Sequence, residues 1–353
     1  DRSPSRGLGD VYKRQILEFG RIHYENVAYF NFETNPKLNE TFEEKISPDY
    51  LIPILSHIAG QTIVKEKTLI VFDEVQLCER ALTSLKYFCE DAPDYHIIVA
   101  GSLLGVAVNR AKFSFPVGKV DMKTLYPMDM EEFMIAVGED ELVEQIKKCF
   151  ETNRPMPSAL HDAAMQLYRQ YLVVGGMPEC VMQFVQTGDY ILIRHTQDTI
   201  LTSYLNDMSK YNNLNEIKKT RLAYDNITVQ LSKKNTRFQY KLIKKGGRAS
   251  EFENAIEWLC LSGIVSQVYR VEQIKKPLEN YRDIDAFKIY VSDLGLLCAK
   301  KDLAANDILY MVEELNDFKG GMTENYVNVQ LAINGYNLSL IHISEPTRRT
   351  PIS

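Results

Sequence analysis

Apolar and polar positions alternate from Val27 to Glu33 (VAYFNFE), the period of a half-buried strand, and Ile16 to Tyr24 ahead of it reads as the end of a helix. A polar loop with Asn35-Pro36 follows, then an amphipathic helix over Tyr50 to Ala59. Lys65 and Lys67 lead into a continuous apolar run, Leu69 to Phe72, that stops at Asp73-Glu74. Its length and β-branching predict a buried parallel strand. A helix from about Ala81 to Cys89 separates this run from another, His96 to Ala100, which ends in Gly101-Ser102. Strand, helix and strand in alternation predict a doubly wound α/β sheet. A third stretch of alternating character, residues 117–125, ends at Tyr126-Pro127, after which the chain turns helical through Glu131, Glu132 and Phe133.

From Ser158 to Tyr211 the periodicity is helical, broken at Gly175-Gly176-Met177-Pro178, where flexibility followed by Pro re-aims a helix. This predicts a small all-helical lid. Between Asn215 and Lys300 the pattern gives two or three short helices, a turn at Gly246-Gly247, a further helix, and strands near Ile264 to Val271 and Phe287 to Val291. Ser250 and Glu253 have the spacing of a capping box for that last helix, whose apolar face is Phe252, Ala255, Ile256 and Leu259 and whose stop signal is Gly263. Helices followed by a hairpin predict a winged helix, with Asp293-Leu294-Gly295-Leu296-Leu297 closing the wing as an apolar anchor.

A chain of 353 residues is long enough for two or three domains. The composition, 45% hydrophobic and 25% charged, is that of a soluble protein, and no apolar run reaches the roughly 18–20 residues of a membrane span. No membrane partner is expected. The net charge of -6 excludes a uniformly basic protein but leaves room for a local basic patch. Six scattered cysteines without a C-x-x-C pair suggest neither a zinc ribbon nor a disulfide framework, and a reducing cytoplasm fits. Residues 1–15 and 339–353 do not continue their neighbours' patterns and resemble translated sequencing-adapter sequence. That implies a native protein extending further in both directions, with native disordered tails as the alternative.

The strongest chemical signal is TLIVFDEVQ, Thr68 to Gln76. Four apolar residues bury a strand and deliver two adjacent carboxylates at its carboxyl end, the edge where open α/β sheets bind ligands. In a nucleotide hydrolase Asp73 would hold the Mg²⁺ water shell and Glu74 would orient or deprotonate the attacking water. Solvated acids at a strand end are the bland alternative. At the end of the next apolar run, Ser102 stands where such enzymes place a sensor for the γ-phosphate; alone it reads as a turn residue. A phosphate loop, G-x-x-x-x-G-K-[ST], is missing: the pair Gly118-Lys119 has Phe113 in place of the first Gly and Val120 in place of Ser or Thr.

The series FNFE, VFDEVQ, VAGSLLG, Val117 to Val120, LYPMDMEEF, GGMPECV, KLIKKGGRASEFENAIEWLCLSGIV and FKIYVSDLGLL resembles a bacterial and archaeal family of AAA-type ATP-binding proteins over about residues 16–338. The resemblance implies ATP and Mg²⁺ as cofactors and a partial P-loop ATPase core over 16–135. A helical lid over 136–214, a winged helix over 215–300 and the start of a restriction-endonuclease-like segment over 301–338 would follow. It makes Asp73 and Glu74 the Walker B pair and Ser102 the sensor. Lys119 stands where many relatives have Arg, supplying a point charge without a bidentate fork. Glu324, in MTENYVNVQL, matches the helical Glu that opens the nuclease-like segment, without the later carboxylates of a metal site; an exposed helical acid is the competing reading. The first strand and phosphate loop being missing, a gap or makeshift strand is expected beside the HIIVAGS strand.

Lys233, Lys234, Arg237, Lys241, Lys244, Lys245 and Arg248 form a basic cluster in an otherwise acidic chain. Glu251, Glu253 and Glu257 on the next helix would meet DNA with like charge, so insertion of that helix in the major groove is disfavoured against a solvated face or a protein contact. The leading expectation is an ATP-binding ATPase, inactive without its phosphate loop. The alternative is a nucleic-acid-binding or regulatory winged-helix module with DNA or a protein as partner. Oligomerisation is left open.

Overall fold

Three strands of the amino-terminal unit, β1 (Asn26–Asn31), β2 (Thr68–Asp73) and β3 (His96–Val99), pair in parallel in that order, with Asn31 opposite Asp73 and Phe72 opposite Val99. The computed structural model describes residues 8–101, 118–210, 214–233, 237–273, 275–336 and 338–341. The chain divides into two units, Asp1–Leu125 and Tyr126–Ser353.

Period-2 alternation sends Ala28, Phe30, Ile70, Phe72, Ile97 and Val99 to one face of the sheet. There they meet Leu38 and Phe42 of α2 (Lys37–Glu44), Leu51 and Leu55 of α3 (Pro48–Ala59), and Ala81, Leu82, Leu85 and Phe88 of α4 (Glu79–Asp91). The rings of Phe32, Phe42 and Phe72 close edge to face or tilted at 5.6–5.7 Å between centroids, the geometry their quadrupoles favour. The other face carries α1 (Leu8–His23). β2 is covered on both sides, which is why its sequence is apolar without alternation. Gly20 makes the α1 contact close: a Cβ there would lie 2.5 Å from Val27 Cγ2 and 2.9 Å from Leu69 Cδ2.

Helix α1 starts at Leu8, inside the leader that the sequence pattern sets aside, and runs unbroken through the expected boundary at residue 16. Beyond β3 no further strand pairs among the described residues. Over the described part of the strand-like stretch, residues 118–125, no strand forms. Over 118–129 the backbone is turn and irregular. Val120 packs on the core, whereas Met122, Leu125 and Tyr126 stay exposed. Among the described residues no ladder partner pairs with this stretch to reward extension.

The second unit opens with α5 (Met130–Ala136), where Asp129 and Glu132 form a reciprocal capping box. Helices α6 (Asp140–Glu151), α7 (Ser158–Val174), α8 (Pro178–Thr187) and α9 (Tyr190–Lys210) follow. Next come α10 (Leu214–Ser232), a single 19-residue helix where shorter ones were expected, α11 (Tyr240–Ile243) and α12 (Ala249–Leu261). The predicted Ser250–Glu253 box does not form: α12 is entered at Arg248, so Ser250 already lies in its first turn. Strands β4 (Val265–Val271) and β5 (Arg282–Val291) make an antiparallel hairpin, and the short β6 (Leu340–Ile341) lies parallel to β4. The unit is completed by α13 (Leu294–Lys300), α14 (Ala305–Leu309) and α15 (Asn316–Ile333). Among the described residues no helix is long and apolar enough to cross a membrane.

Asp293 holds this unit together at the α7–α8 break. Its buried carboxylate accepts from Gly176 N at 2.6 Å and caps α13 through Leu296 N at 2.8 Å. Gly175 passes so close, at φ 76°, that a Cβ would lie 2.3 Å from Asp293 Oδ1. Burial pushes the Asp293 carboxyl up to about 6, against backbone N–H donors that pull it down.

Two outcomes follow from this packing. Gly20→Val gains at most about 0.5 kcal/mol of helix propensity, but overpacking costs roughly 1–3 kcal/mol. Chemical denaturation of the amino-terminal unit is therefore expected to show a net loss of about 1–2 kcal/mol. For Asp293 the folded pKa, about 6, lies above the ordinary 3.8, so the protonated form's contribution is complete below pH 4 and lost as pH rises through 6. The change is about 3 kcal/mol. In Asp293→Asn the dependence of second-unit stability on pH between 4 and 7 is expected to flatten relative to the parent chain.

Candidate functional site

Strand alternation places Tyr29, Asn31 and Asp73 on the α1 face, with Asn31 and Asp73 side by side at the carboxyl end of the sheet. Asp73 is wholly buried. Its Oδ2 accepts from the Tyr29 hydroxyl and, at 3.0 Å, from Asn31 Nδ2; its Oδ1 accepts from the backbone N–H of Glu74 at 2.9 Å. Asn31 is aimed by its own turn: its Oδ1 accepts from the N–H groups of Glu33 and Thr34, both at 2.9 Å, leaving the amide nitrogen to face Asp73.

In a regular strand the side chains of Asp73 and Glu74 would point to opposite faces. Glu74 instead adopts a left-handed backbone, φ 53° and ψ 37°, and starts the 3₁₀ turn Val75–Leu77. The next N–H, of Val75, is tied to Ala100 O at the end of β3. Both carboxylates thereby reach one cation. Lys13 Nζ of α1 lies 3.1 Å from Asp73 Oδ2 and 3.4 Å from Glu74 Oε1, and Gln76 Nε2 donates to the other Glu74 oxygen at 2.6 Å.

Burial works to lower the Lys13 ammonium, but the Asp73 carboxylate, through charge and hydrogen bond, and then Glu74 outweigh it and hold the amine above its usual range. Burial, followed by the hydrogen bond to Asp73, pushes the Tyr29 phenol up to about 12. A cleft of about 420 Å³ beside α1 is lined by Leu17, Arg21, Glu25, Asn26, Val27 and Tyr29. It touches neither acid.

The other candidates do not gather here. Ser102 and Lys234 lie outside the described residues. Lys119 Nζ pairs with Glu90 Oε1 at 3.1 Å in the last turn of α4. Because α4 returns from the carboxyl end of β2 to the start of β3, that pair sits roughly 16 Å down the helix from the acids. In the second unit Lys233, Arg237, Lys241, Lys244, Lys245 and Arg248 are exposed, Lys244 pairing with Glu251 at 3.0 Å. Glu324 pins α15 to β5, accepting from Lys288 Nζ at 2.6 Å and Tyr290 O–H at 2.7 Å. No group of three or more His, Cys, Asp or Glu side chains able to hold a metal occurs among the described residues. Sequence reasoning missed Tyr29, Asn31, Gln76 and Lys13. For the first two a signal existed, since both occupy the off-core positions of the alternating strand that neighbours the Asp73 strand.

A family model described as an AAA domain matches residues 11–134, and one described as a domain of unknown function (DUF8612) matches residues 165–307. No curated protein matches. Among solved structures, the Walker-type ATPase PABY2304 of Pyrococcus abyssi is similar at 13% identity and a TM-score of 0.43, with 78% of this chain and 84% of that chain covered. The parallel-sheet unit is thus AAA-like in sequence.

Removing the cation should expose its share of the site's stability. Lys13→Met leaves two acids facing each other at a buried strand end and is expected to destabilise the amino-terminal unit by about 3 kcal/mol at pH 7. In a double-mutant cycle with Asp73→Asn, denaturation should return a coupling of roughly 2 kcal/mol. Since the Lys13 pKa is raised, that coupling persists from neutral pH up to the ordinary lysine range and is lost only as pH climbs through the elevated value.

Proposed function

We propose that the amino-terminal unit is the metal-and-water half of an AAA-type, Mg²⁺-dependent ATPase, in which Asp73 holds the metal's water shell and Glu74 orients or deprotonates the attacking water. The observation that carries this reading is the convergence of two adjacent carboxylates on a single cation, the Lys13 ammonium, at the ligand-binding edge of a parallel sheet. The AAA-domain match over residues 11–134 supports it.

The acids fit a hard divalent cation: they are oxygen donors, they share one positive charge, and Asp73 is held in place by Tyr29 and Asn31. Mg²⁺, when bound, would neutralise charge on the phosphates. Tyr29 and Asn31 orient Asp73, and the amide of Gln76 orients Glu74. Ser102 is proposed as the γ-phosphate sensor. The triphosphate finds less: the 353 residues contain no G-x-x-x-x-G-K-[ST], and Lys119 is engaged with Glu90. Weak nucleotide affinity for this chain follows, because backbone N–H groups of such a loop supply most of the phosphate cradle.

The test is calorimetry with Mg²⁺-ATP on this chain and on one extended at its amino end by a strand and a phosphate loop. The extended chain is expected to bind at least about tenfold tighter, 1.4 kcal/mol; equal affinities would discard the proposal. In the extended chain Glu74→Gln should keep binding and lower turnover by roughly 100-fold or more, while Asp73→Asn should remove the Mg²⁺ dependence of binding.

A further inference from the structure

The chain entering α12 is fastened on several sides. Phe238 N donates to Phe287 O at 2.6 Å, and the two rings stack at 5.4 Å. Gln230 of α10 clasps Gln239 in both directions, donating to its carbonyl at 2.8 Å and accepting from its N–H at 3.1 Å. Asn226 Nδ2 donates to Leu242 O at 2.8 Å, and Gly247 N closes the next turn on Lys244 O at 2.8 Å. With Phe238 turned inward, Arg237 and Lys241 are turned outward, and Lys233, Lys245 and Arg248 are exposed beside them. Among the described residues only Lys244 of this group has an ion-pair partner, Glu251. Arg237, Lys241, Lys245 and Arg248 therefore stand on or beside a braced stretch of backbone, with Lys233 directly after α10.

The surroundings choose between polyanions. Among the described residues between 233 and 248 no large apolar side chain is exposed, so the surface lacks the desolvated apolar centre that protein interfaces use, and it is rich in Lys, which such centres avoid. Helix α12, where a groove-reading helix would be expected, turns Phe252, Ala255, Ile256, Trp258 and Leu259 inward and leaves Glu253 and Glu257 exposed. Those carboxylates repel the phosphates that flank a groove.

We infer that the surface formed by Lys233, Arg237, Lys241, Lys245 and Arg248 binds the phosphodiester backbone of double-stranded nucleic acid without reading its bases, α12 staying out of the groove. The inference is independent of the ATPase reading. Phosphate contacts from five cations predict a slope of log K against log salt of about −4. The affinity would be equal for unrelated sequences, because backbone contacts carry no base information.

The experiment is fluorescence anisotropy of the full chain with two labelled 20-base-pair duplexes of unrelated sequence, between 50 and 200 mM salt. The expected result is a common affinity falling a few hundred-fold over that range. Lys241→Gln/Lys245→Gln, both exposed, should keep the circular dichroism of the parent and reduce the slope by about 2, whereas Glu253→Gln/Glu257→Gln should tighten binding severalfold for both duplexes. Absence of binding at 50 mM salt would overturn the inference. So would an unchanged slope in the lysine variant, or a tenfold preference for one duplex. Competition by a poly-glutamate peptide as strong as by unlabelled duplex of equal charge would assign the surface to an acidic protein instead.

Discussion

A carboxyl group with no solvent exposure must find its hydrogen-bond donors inside the protein, and the amino-terminal unit is arranged around supplying them to Asp73. Lys13 comes from α1, Tyr29 and Asn31 from β1, and a further donor is the backbone N–H of Glu74. Each depends on a different contact elsewhere. The lysine arrives because Gly20 lets α1 lie close on Val27 and Leu69, and the β1 groups arrive because parallel register sets Asn31 opposite Asp73. An ion pair of this kind contributes little net stability, its attraction being largely offset by desolvation, but breaking it is costly. The buried acid thus selects one arrangement of helix and strands over its neighbours.

How much of this could be read from the residues depends on whether the cause was local. The apolar run ending in Asp73-Glu74, the helices on either side and the break at Gly175–Pro178 were all legible, because periodicity and turn chemistry act over a few residues. Residues 118–125 were not: their alternation looks like a strand, but no ladder partner exists for them among the described residues. The capping box proposed at Ser250 failed by two residues of helix phase, whereas the one that forms, Asp129 with Glu132, went unread. Tyr29 and Asn31 escaped notice because their role arises from a register more than forty residues away in sequence. Lys13 was hidden by a leader whose composition gave no reason to join it to the sheet.

The two units use charge in opposite ways. Around Asp73, opposite charges are largely buried together and the geometry of each is fixed by several bonds. Around Lys241, like charges are held apart on a braced backbone in water, where exposed pairs contribute little to folding. Bracing is done by neutral groups, chiefly Gln230, Asn226 and the stacked Phe238 and Phe287 rings. Stability and charge are therefore separable there, which is the condition under which charge can be kept for a partner.

Two acids adjacent in a strand would ordinarily diverge, one to each face of the sheet, and no single cation could serve both. The left-handed turn at Glu74 is what brings them together, at a backbone cost of order 1–2 kcal/mol for a residue with a Cβ. Glycine would relieve that cost but would delete the carboxylate, so the strain stays where it is. It is offset by bonds that form only in this conformation: Glu74 N to Asp73 Oδ1, Val75 N to Ala100 O and Gln76 Nε2 to Glu74 Oε2. Strain held at a strand end by three bonds, in order to aim a pair of carboxylates at one point, has an account in chemistry at that point and none in packing alone.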